Sequence, residues 1–118
     1  MSEAAFTATT VCLPKGAQVR VSGELDIAAI DPFREEMRRA REMGGPVTVD
    51  LTGLTFLGIV GVEHIAREAH ELARTGRDLA IVSARPAVID LLLRLGLGDL
   101  FRVDRRRQDR PRRMSGRS

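Results

Sequence analysis

The sequence has no tryptophan and no tyrosine, and only four of its 118 residues are phenylalanine. The core must therefore be mostly aliphatic, and a surface that stacks single-stranded nucleic acid is not expected. Cys12 is the only cysteine, which excludes an internal disulfide and is typical of a reducing compartment. With His64 and His70 as the only histidines, the chain offers a poor set of metal ligands. We expect no metal and no cofactor.

Long apolar runs are also missing. No stretch approaches the roughly twenty apolar residues that a membrane-spanning helix needs, so membrane insertion is not expected. Residues 1–10 lack the basic region followed by an apolar stretch that a secretory signal requires. The sequence therefore predicts a cytoplasmic protein.

Charge is unevenly distributed along the chain. The formal net charge is +3, yet residues 104–118 hold seven arginines against two aspartates, and residues 1–103 are mildly acidic. We expect a folded domain over 1–103 and a basic, arginine-rich tail over 104–118 that is disordered, because Met114 is its one apolar side chain. The tail's alternative role is an electrostatic patch for an acidic partner or nucleic acid. A nucleic-acid partner is disfavoured because the body is acidic.

The apolar pattern predicts one α/β domain with a mixed sheet of four to five strands, about three helices and two main layers. Two short strands, around Val11–Leu13 and Val19–Val21, flank a turn at Pro14–Ala17 and form a hairpin; Gly23–Asp26 ends the second. Strands separated by single helices favour parallel neighbours. The remaining predicted elements are helices over 27–43 (or from an N-cap at Asp31), 60–75 and 86–95, strands over 46–51, 79–82 and 100–103, and a loop over 52–57, giving the order β-β-α-β-α-β-α-β.

Catalytic motifs are absent. There is no G-x-x-x-x-G-K-S/T phosphate loop, no G-x-G-x-x-G after a strand and no G-x-S-x-G nucleophile elbow. His64 and His70 are six residues apart on the second predicted helix, whereas helical metal ligands need a spacing of four. Glu24 and Asp26 have no second acidic cluster beside them, so a contact role is favoured over acid–base chemistry. We expect a protein that binds another protein and is not an enzyme.

Three segments carry a family resemblance: Gly23-Glu24-Leu25-Asp26, Val49–Leu57 and Pro86–Leu97. In this order and spacing, over about residues 7–103, the chain resembles the STAS domain of bacterial anti-sigma factor antagonists. The resemblance implies a non-catalytic regulator that binds an anti-sigma factor, often a serine kinase of the GHKL type. It also implies a switch, in which phosphorylation of a serine in a D-S-S/T-G turn at the start of the second helix ends the binding. A phosphate would add nearly two negative charges to the contact surface.

The sequence departs from the family at that turn, which reads Gly58-Ile59-Val60-Gly61. Ile59 stands at the phosphoacceptor position, so no phosphorylation is expected there. Two interpretations remain open: Ile59 and Val60 form an apolar contact site, or they fold back into the core and the face binds nothing. The predicted partner-binding residues are Gly23, Glu24, Asp26, Gly58, Ile59, Val60, Gly61 and Val62.

An alternative function is that of a STAS-like accessory or scaffold subunit of a transport ATPase or a signalling assembly. Such a subunit also needs no catalytic residues and tolerates the loss of the serine. A nucleotide-binding domain is less favoured, because no phosphate cradle is readable in the sequence.

Overall fold

One five-stranded sheet with three helices forms the fold in the computed structural model, which describes residues 6–97 and 102–103. The strands follow the order β1-β2-β3-β4-β5 across the sheet; β1 is antiparallel to β2, and the other neighbours are parallel. The predicted mixed α/β class and element order are confirmed. The elements are β1 (Phe6–Leu13), β2 (Gly16–Leu25), α1 (Ile30–Glu42), β3 (Val47–Leu57), α2 (Ile59–Arg74), β4 (Leu79–Ala84), α3 (Pro86–Arg94) and β5 (Arg102–Val103).

The sheet buries one face against the helices. Along β2 the buried residues Ala17, Val19 and Val21 alternate with residues that remain accessible to solvent. Val47 and Val49 of β3 pair with Ala17 and Val19, so the inward residues of neighbouring strands stack in rows. This alternation is typical of a sheet with one covered face. β3 lies at the centre of the sheet.

The helices contribute unequally to the core. The buried stripe of α1 is Ile30, Phe33, Met37 and Ala40, at the three- and four-residue spacing of an amphipathic helix. The inner side of α2 is similarly continuous, whereas α3 buries only Val88 and Leu92. α1 packs mainly against β1 and β2, and α2 packs against β4.

The prediction of a loop over residues 52–57 is wrong, because β3 runs through this segment to Leu57. Pairing of β3 with β4 ends at Leu51, but pairing with β2 continues to the end of both strands. Two register shifts in β2, after Arg20 and after Gly23, accompany this extension. Such irregularities break the period-two pattern by which a strand is read from sequence.

The start of α1 also differs from expectation. A short 3₁₀ helix, Ile27–Ala29, precedes it, and the Asp26 carboxylate caps this turn by accepting the Ala28 N–H at 3.2 Å. α1 then begins at Ile30, so Asp31 lies inside the first turn and is not the N-cap. Asp26 is the capping side chain because its backbone is extended, as an N-cap requires.

An ion pair joins α1 to α2. Arg41 donates to the carboxylate of Glu68, the one charged side chain found buried in the described part of the chain. Arg77 donates to the Arg41 carbonyl at 2.7 Å and to the Gly45 carbonyl at 3.0 Å, which holds the end of α1 against the segment after α2.

No helix in the described part is long and apolar enough to cross a membrane.

The remaining predicted boundaries agree with the structure within a few residues, apart from three. β1 begins at Phe6, earlier than predicted, and β2 continues through Gly23 and Glu24 to Leu25. Of the predicted last strand, residues 102–103 are seen, while residues 100 and 101 lie outside the described residues. The predicted tail over 104–118 lies outside them as well.

Candidate functional site

The predicted site residues meet where β2 and β3 end. Parallel strands place their carboxyl ends at the same edge of a sheet, and the register pairs Glu24 with Phe56 and Leu25 with Leu57. Gly58 donates its backbone N–H to the Leu25 carbonyl at 3.0 Å. The fold therefore brings the segment Gly23–Asp26 beside the turn that opens α2. Binding sites in parallel sheets commonly lie at this edge, where the carboxyl ends of the strands meet.

The turn itself depends on a glycine inside the helix. A Cβ atom placed on Gly61 would lie 2.7 Å from the Leu25 carbonyl oxygen, 2.9 Å from the Leu25 Cγ and 3.0 Å from the Leu57 Cδ1. Backbone and branched side chains cannot move aside as easily as a flexible side-chain end. Gly61 therefore lets α2 pack directly on the ends of β2 and β3.

Ile59 and Val60 point in different directions. Ile59 is 59% exposed, whereas Val60 is half-buried and packs against the core. Ile59 is thus exposed, as the contact interpretation expects, while Val60 packs inward, as the core interpretation expects. Gly61 and Val62 are buried beneath the turn, and we assign them to holding it in place.

Ile59 belongs to a cluster of exposed apolar side chains at this end of the sheet. Ile27 is 75% exposed and Phe56 is 50% exposed. The Phe56 ring lies 3.3 Å from the position that a Cβ on Gly58 would take, and Ile27 directly follows Asp26. Ile27, Phe56 and Ile59 are together called the apolar face. Exposed apolar side chains that gather at one place are typical of an interaction surface.

Carboxylates border the apolar face. Glu24 pairs with Phe56 across the strands, Asp26 precedes Ile27, and Glu63 lies one helical turn beyond Ile59. These three residues are called the acidic rim. Within residues 6–97 and 102–103 none of them forms an ion pair. Their charge is therefore available to a basic group from elsewhere.

Ile27, Phe56 and Glu63 were not among the partner-binding residues predicted from the sequence. Phe56 was assigned to a loop, although a strand through Phe56 and Leu57 turns one of two neighbouring apolar side chains outward. Glu63 follows Ile59 by four residues, the spacing that places two residues on one side of a helix. The outward position of Phe56 follows once β3 extends to Leu57, and the position of Glu63 beside Ile59 follows once α2 begins at Ile59.

A second concave region lies between α1 and α2. This cleft of about 490 Å³ is lined by charged side chains of both signs. Arg38 donates to both carboxylate oxygens of Glu35, and this hydrogen bond, with the Arg38 charge, lowers the pKa of Glu35. Among the residues lining the cleft, Arg38 pairs with Glu35 and Arg41 pairs with Glu68. The lining residues are Asp31, Arg34, Glu35, Arg38, Arg41, Arg67, Glu68 and Glu71.

Metal binding has no support in the part of the chain that the structure describes. No group of three or more histidine, cysteine, aspartate or glutamate side chains there has a metal-binding arrangement. His64 and His70 lie on α2, and Cys12 is an exposed residue of β1. The last of these matches its predicted place in the first hairpin.

Comparison with known proteins relates both the sequence and the fold to one family. The STAS domain family model matches residues 9–109. The anti-sigma-F factor antagonist RsfA of two Mycobacterium tuberculosis strains is 31% identical over 88 residues, covering 72% of this chain and 69% of the relative.

Two crystal structures are similar in fold. An anti-sigma factor antagonist from Mycobacterium paratuberculosis superimposes with a TM-score of 0.74 at 22% identity, covering 83% of this chain and 84% of that one. An antisigma-factor antagonist STAS domain from Rhodobacter sphaeroides gives a TM-score of 0.55 at 25% identity, covering 69% and 89%. Both superpositions show that the overall fold of this chain is shared with these structures.

Proposed function

The chain belongs to the STAS domain family, and from that membership we propose that it is an anti-sigma factor antagonist that binds its partner through the apolar face. Its relatives in Mycobacterium tuberculosis carry that name. The domain would act in the cytoplasm, by contact alone and without catalysis.

The exposure of Ile59 is the observation that supports this proposal most directly. A large apolar side chain at the first residue of α2, 59% exposed, is costly in water unless a partner covers it. Phe56 and Ile27 extend the same surface, and buried aromatic and apolar anchors supply most of the binding energy at protein interfaces. The acidic rim favours a partner surface with an apolar centre and basic surroundings.

The binding is proposed to lack the family's phosphorylation switch. Ile59 stands at the phosphoacceptor position, and neither it nor Val60 has a hydroxyl group. A partner of the GHKL-type serine kinase class would therefore bind the turn without being able to modify it. Control of the complex must come from the amount of either protein or from another part of the chain.

Replacing Ile59 with aspartate tests the proposed face. The purified protein and its Ile59→Asp variant are titrated with candidate anti-sigma factors from the same genome, and the affinities are compared. A buried charge at an interface centre should weaken binding at least about thirtyfold, as loss of a hot-spot residue does. The matched control is Leu93→Asp, a residue 44% exposed at the far end of α3, which should bind as the wild type does.

Equal binding by wild type and Ile59→Asp would show that the apolar face is not the contact surface. A second measurement tests the missing switch: the protein is incubated with ATP and a candidate anti-sigma kinase and analysed by mass spectrometry. No phosphate is expected. Phosphate on Thr55 or Ser83 would contradict the proposal that the domain lacks a switch.

A further inference from the structure

The last described strand directs the chain toward the edge of the sheet that carries the apolar face. β5 is parallel to β4, with Val103 paired to Ile81, and Ile81 is in turn paired to Val49. The parallel strands β2, β3, β4 and β5 therefore all point their carboxyl ends the same way. The carboxyl end of β5, at Val103, therefore lies toward the same edge of the sheet as the turns that form the apolar face.

The distance between Val103 and the apolar face can be crossed by this segment. Phe56 lies seven residues beyond Val49 and two strands away from β5, which corresponds to about 25 Å at strand spacings. Arg112 is nine residues past Val103, and an extended chain of that length spans about 30 Å. Arg105, Arg106 and Arg107 fall short, because four residues span only about 14 Å.

Charge and chemistry match between the segment and the face. Residues 104–118 carry seven arginines, whereas the acidic rim consists of three carboxylates without ion-pair partners among the described residues. A guanidinium stacks well on an exposed aromatic ring such as Phe56, and the arginine stem covers apolar surface such as Ile59. Met114 adds one apolar side chain to the segment.

We propose that residues 104–118 fold back in cis onto the apolar face and acidic rim, where they compete with the partner. The competition rests on the proposed function, but the contact within the chain does not. Tethering gives the segment an effective concentration in the millimolar range, so a contact too weak to matter between separate molecules is well populated. The tail supplies the control that the turn has lost.

The first experiment looks for the contact in the whole protein alone. The amide signals of Ile27, Phe56 and Ile59 are followed by NMR in the wild type and in the triple variant Arg112→Gln/Arg113→Gln/Arg117→Gln. We expect these signals to move in the variant, and to move in the same direction when salt is added to the wild type, because screening weakens the contact. Signals of core residues such as Val49 should stay in place.

The matched control removes the same charge from the part of the segment that cannot reach. In the triple variant Arg105→Gln/Arg106→Gln/Arg107→Gln, the signals of the apolar face should remain at their wild-type positions. If both triple variants shift the signals equally, the effect is one of net charge and the docking is refuted. The docking is also refuted if the signals of the apolar face change only after a DNA duplex is added. That result would indicate that residues 104–118 bind nucleic acid.

The second experiment measures the competition. The distal triple variant should bind the anti-sigma factor about two- to tenfold more tightly than the wild type, the range expected for removing a weak tethered competitor. Unchanged affinity, together with a tail contact seen by NMR, would overturn the competition. If neither protein binds any anti-sigma factor, the proposed function fails, while the NMR result still decides whether the tail docks.

Discussion

Gly61 lies where the first turn of α2 crosses the end of β2, and it is the residue whose replacement should disturb the site most. Alanine normally stabilises a helix interior relative to glycine by about 1 kcal/mol. Here its Cβ would stand 2.7 Å from the Leu25 carbonyl oxygen. We expect Gly61→Ala to lower the free energy of unfolding by about 1–3 kcal/mol, as overpacking does. Urea denaturation measures this loss.

Gly58→Ala is the matched control. Its nearest contact would be the Phe56 Cε2 at 3.3 Å, a ring atom at the surface. The backbone of Gly58 is extended, which any residue tolerates, so the main cost is the weaker N-capping of alanine relative to glycine, worth about 0.5–1 kcal/mol. Equal losses in the two variants would show that crowding against Leu25 does not explain the glycine at position 61.

The orientations of Ile59 and Val60 could not be predicted from the sequence. Ile59 and Val60 are both β-branched and apolar, and the sequence supports either as a core or a surface residue. The helix places neighbouring residues about 100° apart, so the two side chains point in different directions and can differ in burial. Which one faces the core depends on how α2 lies over Leu57 and Leu25, and this is a property of packing between distant segments.

At the scale of elements, Arg41 and Glu68 connect α1 with α2. Glu68 is 6% exposed and its carboxylate accepts from Arg41, whose side chain is 31% exposed. Removing one member of a largely buried pair leaves the other charge poorly solvated. Because Arg41 keeps some contact with water, we expect Glu68→Ala to lower the free energy of unfolding by about 1–3 kcal/mol, below the range for fully buried pairs.

The comparison for this prediction is Glu71→Ala on the same helix. Glu71 pairs with Arg74 at 3.4 Å, and both side chains are exposed. Exposed pairs contribute about 0–1 kcal/mol, so this variant should unfold nearly as the wild type does. A loss at Glu71 as large as that at Glu68 would mean that helix propensity or net charge, and not the link between the helices, sets the effect.

The bounds of the elements were predictable where one pattern governs them. α2 and α3 were read to within a residue or two, because apolar spacing, Pro86 and the glycines after each helix agree. The end of β3 was not predictable in this way. Residues 52–57 pair with β2 alone, and the register of that pairing is irregular. The register shifts interrupt the period-two alternation after Leu51, and this is the segment that carries Phe56.

For the whole molecule, the order of strands and helices determined most of the architecture. Single helices between strands favour parallel neighbours, and the tight turn at Pro14–Ala17 favours an antiparallel first pair. The location of the candidate site follows from the same topology, because parallel strands all end at one edge. The chemistry at that edge does not follow, since it depends on bringing Ile27 beside Phe56 and Glu63, which lie about thirty residues further along the chain.

All three helices share one core with the sheet, so the domain should unfold as a unit. α3 tests this most severely, because it is held by only two buried side chains. Leu92 is fully buried, and Leu92→Ala should lower the free energy of unfolding by about 2–5 kcal/mol. Two signals follow the urea unfolding of this variant: helical circular dichroism and the Met37 methyl signal in α1. Both unfolding midpoints should shift together to lower urea concentration, and the dependence of the free energy on urea should keep its slope.

Leu93→Ala, at an exposed neighbouring position, controls for the helix itself and should shift neither signal by much. Separate transitions in Leu92→Ala, with circular dichroism falling before the Met37 signal, would mean that α3 opens on its own. That outcome would matter for function, because β5 and the arginine-rich segment follow α3 in the chain. A tail tethered to a helix that opens independently would reach the apolar face at a lower effective concentration, and the competition in cis would weaken accordingly.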